Sequence, residues 1–129
     1  MGSTTYEWIL EHGQGWPYDF PCWVFTHRDL SVPPDARVEQ TSRDVAAVHT
    51  ELVEAAAGQN VWILGGGDLA GQFADAGLLD EVVVFIAPVT LGAGAPLLPR
   101  RLELRLEETH LNGDFVTARY SVPHGVRVP

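Results

Sequence analysis

Residues 61–73, VWILGGGDLAGQF, constrain the fold more than any other stretch of the chain. Four apolar residues of strand type run into Gly65, Gly66 and Gly67, and a helical pattern starts at once, with Leu69, Phe73 and Ala76 at i, i+4 and i+7. Gly77 follows as a helix stop. A buried strand over 61–64 that turns tightly into a helix over 68–76 is the repeating unit of layered α/β folds. The turn itself leaves two readings open. The first amides of a helix lack partners inside it and sit at the positive end of the helix dipole, where a phosphate is readily held. Asp68 stands at the same place, and its carboxylate could cap those amides in a plain turn. The spacing matches neither the GxGxxG nor the GxxxxGK[ST] fingerprint.

The flanking segments extend the same alternation. Residues 3–11 read as a helix capped by Ser3 or Thr4, with Tyr6, Ile9 and Leu10 facing inward. GQGWPYDFP (13–21) is a loop, CWVFTH (22–27) a strand, 29–35 a second loop, and 36–40 a short edge strand. Thr41 and Asp44 have capping-box spacing ahead of DVAAVHTELVEAAAG, which places Val45, Val48, Leu52 and Ala55/Ala56 on one helical face before Gly58. EVVVFIAP (81–88) is apolar throughout and ends at Pro88, which predicts a strand buried on both faces in mid-sheet and parallel to its neighbours. LELRLEETHL (102–111), Asn112-Gly113 and DFVTARYSV (114–122) predict an antiparallel hairpin with positive φ at both Asn112 and Gly113. The expected fold is a single α/β domain over 1–129 with a mixed sheet.

Charge and cysteine content exclude several function classes. Seventeen acids against eight Lys plus Arg give a formal charge of −9, which repels nucleic acid. The single cysteine, Cys22, allows no internal disulfide and no Cys/His metal set, which suits a reducing cytoplasm. No apolar run reaches membrane-span length, and MGSTTYEWIL lacks the pattern of a signal peptide. No Ser/His/Asp or Cys/His set and no acid/base carboxylate pair stands out, so no catalytic residue is assigned. His12, His49, His110 and His124 read as surface or satisfied side chains.

Three other stretches could carry chemistry. FTHRD (25–29) closes a strand on the edge where α/β sheets bind ligands. His27 and Arg28 could receive a phosphate there, or Arg28 could simply pair with Asp29. Gly2, Ser3, Thr4 and Thr5 offer amides and hydroxyls to an anion, or ordinary helix capping. The loop APVTLGAGAPLL (87–98), with Gly92 and Gly94, could line a substrate pocket or merely connect to the hairpin.

Taken together, these stretches resemble a known family. VWILGGGDLAGQFADAGLLDEVVVFIAPVTLGAGAPLL (61–98) is similar to the core of the dihydrofolate reductase-like domains, in particular the reductase domain of the bifunctional deaminase–reductase of bacterial riboflavin biosynthesis. MGSTTYEW resembles that family's Gly-Arg-x-Thr-Tyr-Glu helix start, and WVFTHRDL the strand after it. The resemblance implies a three-layer mixed sheet flanked by helices, and NADPH-dependent hydride transfer to a pterin or a ribosylaminopyrimidine. It implies cofactor contacts at Gly2, Ser3, Thr4 and Thr5, at Thr26, His27 and Arg28 toward the adenosine 2′-phosphate, and at Gly65, Gly66, Gly67, Asp68, Leu69 and Ala70 toward the pyrophosphate. Leu64, Pro88 and Gly92 would border the substrate. Ser3 stands where the family has Arg, and Leu64 where riboflavin reductases often carry an acid. The family places a strand, a loop and a helix before the GSTTYE position. The expectation is therefore a domain with its N-terminal strand and helix missing, whose exposed sheet edge or apolar face favours a homodimer.

Overall fold

The computed structural model describes residues 1–123. It is a mixed α/β arrangement of three helices and five strands in the order α1 (Ser3–His12), β1 (Cys22–Phe25), β2 (Val38–Thr41), α2 (Val45–Ala56), α3 (Gly67–Asp75), β3 (Glu81–Ile86), β4 (Arg105–Asn112) and β5 (Phe115–Ser121). β1 and β2 pair in parallel, whereas β3, β5 and β4 form an antiparallel sheet in that order. His124 lies outside the described residues. Among these, no helix is long and apolar enough to cross a membrane.

The core forms where helix periodicity predicts it. Val45, Val48 and Leu52 of α2 pack with Leu69 and Phe73 of α3 and with Leu79. Phe25 closes edge-on against Phe73, with ring centroids 6.0 Å apart. In α1, Tyr6 and Ile9 are buried and Leu10 is half-buried; the Tyr6 hydroxyl donates to the Ser31 carbonyl at 2.7 Å. A buried phenol needs such a partner, and this one ties the 29–35 loop to the helix.

Several local expectations are corrected. Gly2, not Ser3 or Thr4, is the N-cap of α1 and has no side-chain cap. Gly2 is held in a parallel bridge to Phe25, so the helix starts immediately after it and Ser3 is already helical. The capping box of α2 does not form. Asp44 is itself the cap and accepts from the Ala46 amide at 2.9 Å, while Thr41 ends β2. The hairpin forms, with Asn112 opposite Phe115, so its turn residues are Gly113 and Asp114. Gly113 alone has positive φ (60°), and Asn112 remains in the strand.

Two corrections concern the sheet. Residues 61–64 form no strand, and β3 is an edge strand in an antiparallel sheet rather than a central parallel one. Val83, Phe85 and Ile86 are half exposed or more. An apolar run reports the neighbours a strand requires, and among the described residues one side of β3 has none.

Candidate functional site

The glycine turn joins the end of the 61–64 segment to α3. Gly65 and Gly66 adopt φ of 68° and 85°, the left-handed region that favours glycine. Gly67 is needed for a different reason: a methyl group there would lie 2.5 Å from the Leu97 carbonyl oxygen. A methyl on Gly65 would also meet the Thr5 Oγ1 at 2.6 Å, which places the first turn of α1 against the turn. Conformation and close packing therefore account for all three glycines.

The binding capacity comes from the helix starts. Ala70 donates to the Gly66 carbonyl and Tyr6 to the Gly2 carbonyl, each at the first intrahelical bond. Neither helix has a side-chain cap. Among the described residues, the amides of Thr4 and Thr5, and those of Gly67, Asp68 and Leu69, meet no protein acceptor, whereas the Ser3 amide faces Phe25 in the parallel bridge. The expectation that Asp68 caps α3 is overturned. Its carboxylate accepts from Gln72 Nε2 at 3.0 Å and from Arg100 Nη2 at 3.2 Å. The Gln72 hydrogen bond, then Arg100, hold its pKa below the usual carboxylate value. Two uncapped helix N-termini thus meet at the Thr5–Gly65 contact, which is a donor set suited to an anion.

The third stretch lies at the end of β1. Phe25 donates to the Met1 carbonyl at 2.9 Å, and Thr26 to the Thr41 carbonyl at 2.8 Å, which anchors the strand end beside the start of α1. Thr26 Oγ1 accepts from the Arg28 amide at 3.0 Å. Arg28 does not pair with Asp29. Its guanidinium makes a two-bond fork with Glu7 of α1, at 3.0 and 2.6 Å. That fork raises the Arg28 pKa, with the hydrogen bond to Glu7 as the largest cause. His27 is exposed.

The remaining expected residues fall into two groups. The Leu69 side chain is buried in the core and Ala70 already bonds within α3, so Leu69 offers only its backbone amide. Leu64 is half-buried and borders a cleft of about 380 Å³ lined also by Trp23, Phe25, Trp62 and Phe73. Pro88 and Gly92 are exposed and border neither this cleft nor a second one of about 810 Å³. The 87–98 loop instead reaches the glycine turn through the Pro96 and Leu97 carbonyls. Sequence reasoning missed Glu7, Leu97 and Arg100. Each acts across 21 or more residues of chain, a separation that leaves no local periodic signal.

The sequence model of the RibD C-terminal domain matches residues 18–114. YwjB of Bacillus subtilis (strain 168), a protein of uncharacterised function, is 32% identical over 126 residues, covering 93% of this chain and 70% of YwjB. YyaP of the same organism is 38% identical over 55 residues, or 40% of this chain and 29% of that one. A Shewanella sp. PV-4 structure assigned by its name to riboflavin biosynthesis superposes with a TM-score of 0.77 at 25% identity, covering 96% of this chain and 72% of that one. A pyrimidine reductase-like protein of Corynebacterium diphtheriae shares the fold, with a TM-score of 0.52 at 22% identity over 67% of this chain and 38% of that one. The chain belongs to the RibD C-terminal domain family, a reductase-type family of mixed α/β fold.

Proposed function

We propose that this chain is an NADPH-binding reductase domain acting on a pterin or a ribosylaminopyrimidine. The observation that carries the reading is the meeting of two uncapped helix N-termini at Thr5 and Gly65, with the free amides of Thr4, Thr5, Gly67, Asp68 and Leu69 between them. The fit to a pyrophosphate is good: the donors are backbone groups, and Asp68 is turned away onto Arg100. Thr4 and Thr5 would hold it from one wall and Gly67, Asp68 and Leu69 from the other. Thr26, His27 and Arg28, anchored beside the start of α1, would meet the 2′-phosphate. When bound, the dihydronicotinamide supplies the hydride. The chain's own part is to orient the dinucleotide and to keep water from the apolar cleft beside Leu64.

Titration with NADPH, followed by nicotinamide fluorescence, tests this reading. Saturable enhancement is expected, and no saturable change up to millimolar cofactor overturns it. A second reading, a nucleotide-binding module without turnover, is favoured by the unpaired edge of β3, which leaves the sheet open beside the glycine turn. Saturable NADPH binding with no oxidation on adding dihydrofolate or the ribosylaminopyrimidine supports this second reading. Turnover excludes it.

A further inference from the structure

The chain that leaves the 87–98 loop runs along one face of α3. The Leu97 carbonyl lies against Gly67, and the Arg100 side chain lies against Gly71, one turn further on. A methyl group on Gly71 would stand 3.1 Å from Arg100 Cγ and 3.3 Å from Cζ, close enough to force the arginine aside. Glycine weakens a helix interior relative to alanine, and at this buried position the close crossing of Arg100 accounts for it.

Asp68, Gln72 and Asp75 stand at i, i+4 and i+7 beside that crossing. Arg100 Nε donates to Asp75 Oδ2 at 2.7 Å and Nη2 to Asp68 Oδ1 at 3.2 Å, while Nη1 turns back to the Pro99 carbonyl at 2.9 Å. Gln72 Nε2 donates to the second Asp68 oxygen at 3.0 Å. Both Asp68 oxygens are thereby held along the helix flank. A carboxylate in the first turn of a helix is attracted to the free amides there. At Asp68 that attraction would fill the donors an anion needs and set a like charge beside it. Arg100 opposes it with a planar fork that reaches two carboxylates at once, which a lysine does not reproduce.

We propose that Arg100 is a positioning residue for the glycine turn: it draws the Asp68 carboxylate off the amides of Gly67, Asp68 and Leu69, and so raises the affinity of the turn for a phosphate. Asp75 anchors the guanidinium on the far side and keeps it from following Asp68 toward the turn. The inference rests on the proposed NADPH site and adds to it the residue that keeps the α3 wall open.

The test follows backbone amide shifts and NADPH affinity in the whole chain. In the unsubstituted chain, the Gly67 and Leu69 amide resonances should not follow the titration of the Asp68 carboxyl. In Arg100→Met, which keeps an aliphatic stem across Gly71 and removes the donors, they should follow it. NADPH affinity, read by nicotinamide fluorescence at low salt, should fall about three- to fivefold in Arg100→Met. Adding Asp68→Asn to that variant should restore it. Adding Asp75→Asn, which gives the same net charge but acts about 10 Å further along the helix, should not. Amides that already follow Asp68 in the unsubstituted chain overturn the inference, as do amides that stay silent in Arg100→Met. Equal restoration by the two double variants assigns the effect to net charge and overturns it. Restoration by neither assigns Arg100 a direct contact or a purely structural part, and overturns it as well. Absence of saturable NADPH binding in the unsubstituted chain instead overturns the proposed function, and the two amide titrations then decide the placement of Asp68 on their own.

Discussion

At the scale of single residues, the three glycines separate two requirements that the sequence merges. Gly65→Ala combines left-handed strain with contact on Thr5 and should destabilise the chain by about 1–3 kcal/mol in chemical denaturation. Gly77→Ala carries similar φ strain (70°) in open space, so its cost should stay near 1 kcal/mol. Arg28 yields a prediction that rests on the proposed function. Glu7 occupies its guanidinium, and a 2′-phosphate must compete with that carboxylate. The pair is solvent-exposed, so it can yield to a phosphate. Glu7→Gln should therefore tighten NADPH binding several-fold while leaving NADH binding unchanged. Equal changes for the two dinucleotides would count against a role in reading the phosphate. The Arg28–Glu7 pair was not legible from sequence, since a charged side chain has several neighbours in sequence and only folding selects its partner.

At the scale of elements, helix positions follow their apolar periodicity closely, because a helix satisfies its own backbone and needs only one face covered. Strands do not share that independence. Residues 61–64 have a strand's composition and no strand partner; β3 has a central strand's composition and an edge position. The capping box failed for a local reason: Asp44 reaches the Ala46 amide directly, and Thr41 is committed to β2. β1 supplies a test of burial. Cys22 is buried, and desolvation raises its thiol pKa above the ordinary value. Less thiolate forms at any given pH, so alkylation by iodoacetamide near pH 8 should be more than about tenfold slower in the folded chain than in urea. It should accelerate only above the usual thiol range. Rapid native alkylation, read by mass spectrometry, would show that β1 opens readily.

For the whole molecule, the decisive feature is apolar surface left uncovered. Trp62, Phe85 and Leu111 are at least 60% exposed, and Val83, Ile86 and Leu106 at least 50%. Isolated exposed apolar residues are ordinary, but Ile86, Leu106 and Leu111 share one face of the β3–β5–β4 sheet, with Val83 and Phe85 on the other. We propose self-association to a homodimer through the Ile86–Leu111 face. Sedimentation velocity should show a concentration-dependent shift toward twice the 14.1 kDa chain mass. Leu111→Lys, on an exposed position of β4, should weaken it without unfolding the chain. A monomer at all concentrations would refute the proposal.

The sequence by itself determined the three helices, the hairpin, the glycine turn and the family, because each rests on local periodicity, turn chemistry or a contiguous motif. Tertiary structure alone decided that β3 pairs with β5 at the edge of an antiparallel sheet, that Asp68 turns onto Arg100 rather than capping α3, and that Glu7 holds Arg28. Those outcomes depend on partners 21 or more residues away, and a chain records such partners only through the space in which it folds.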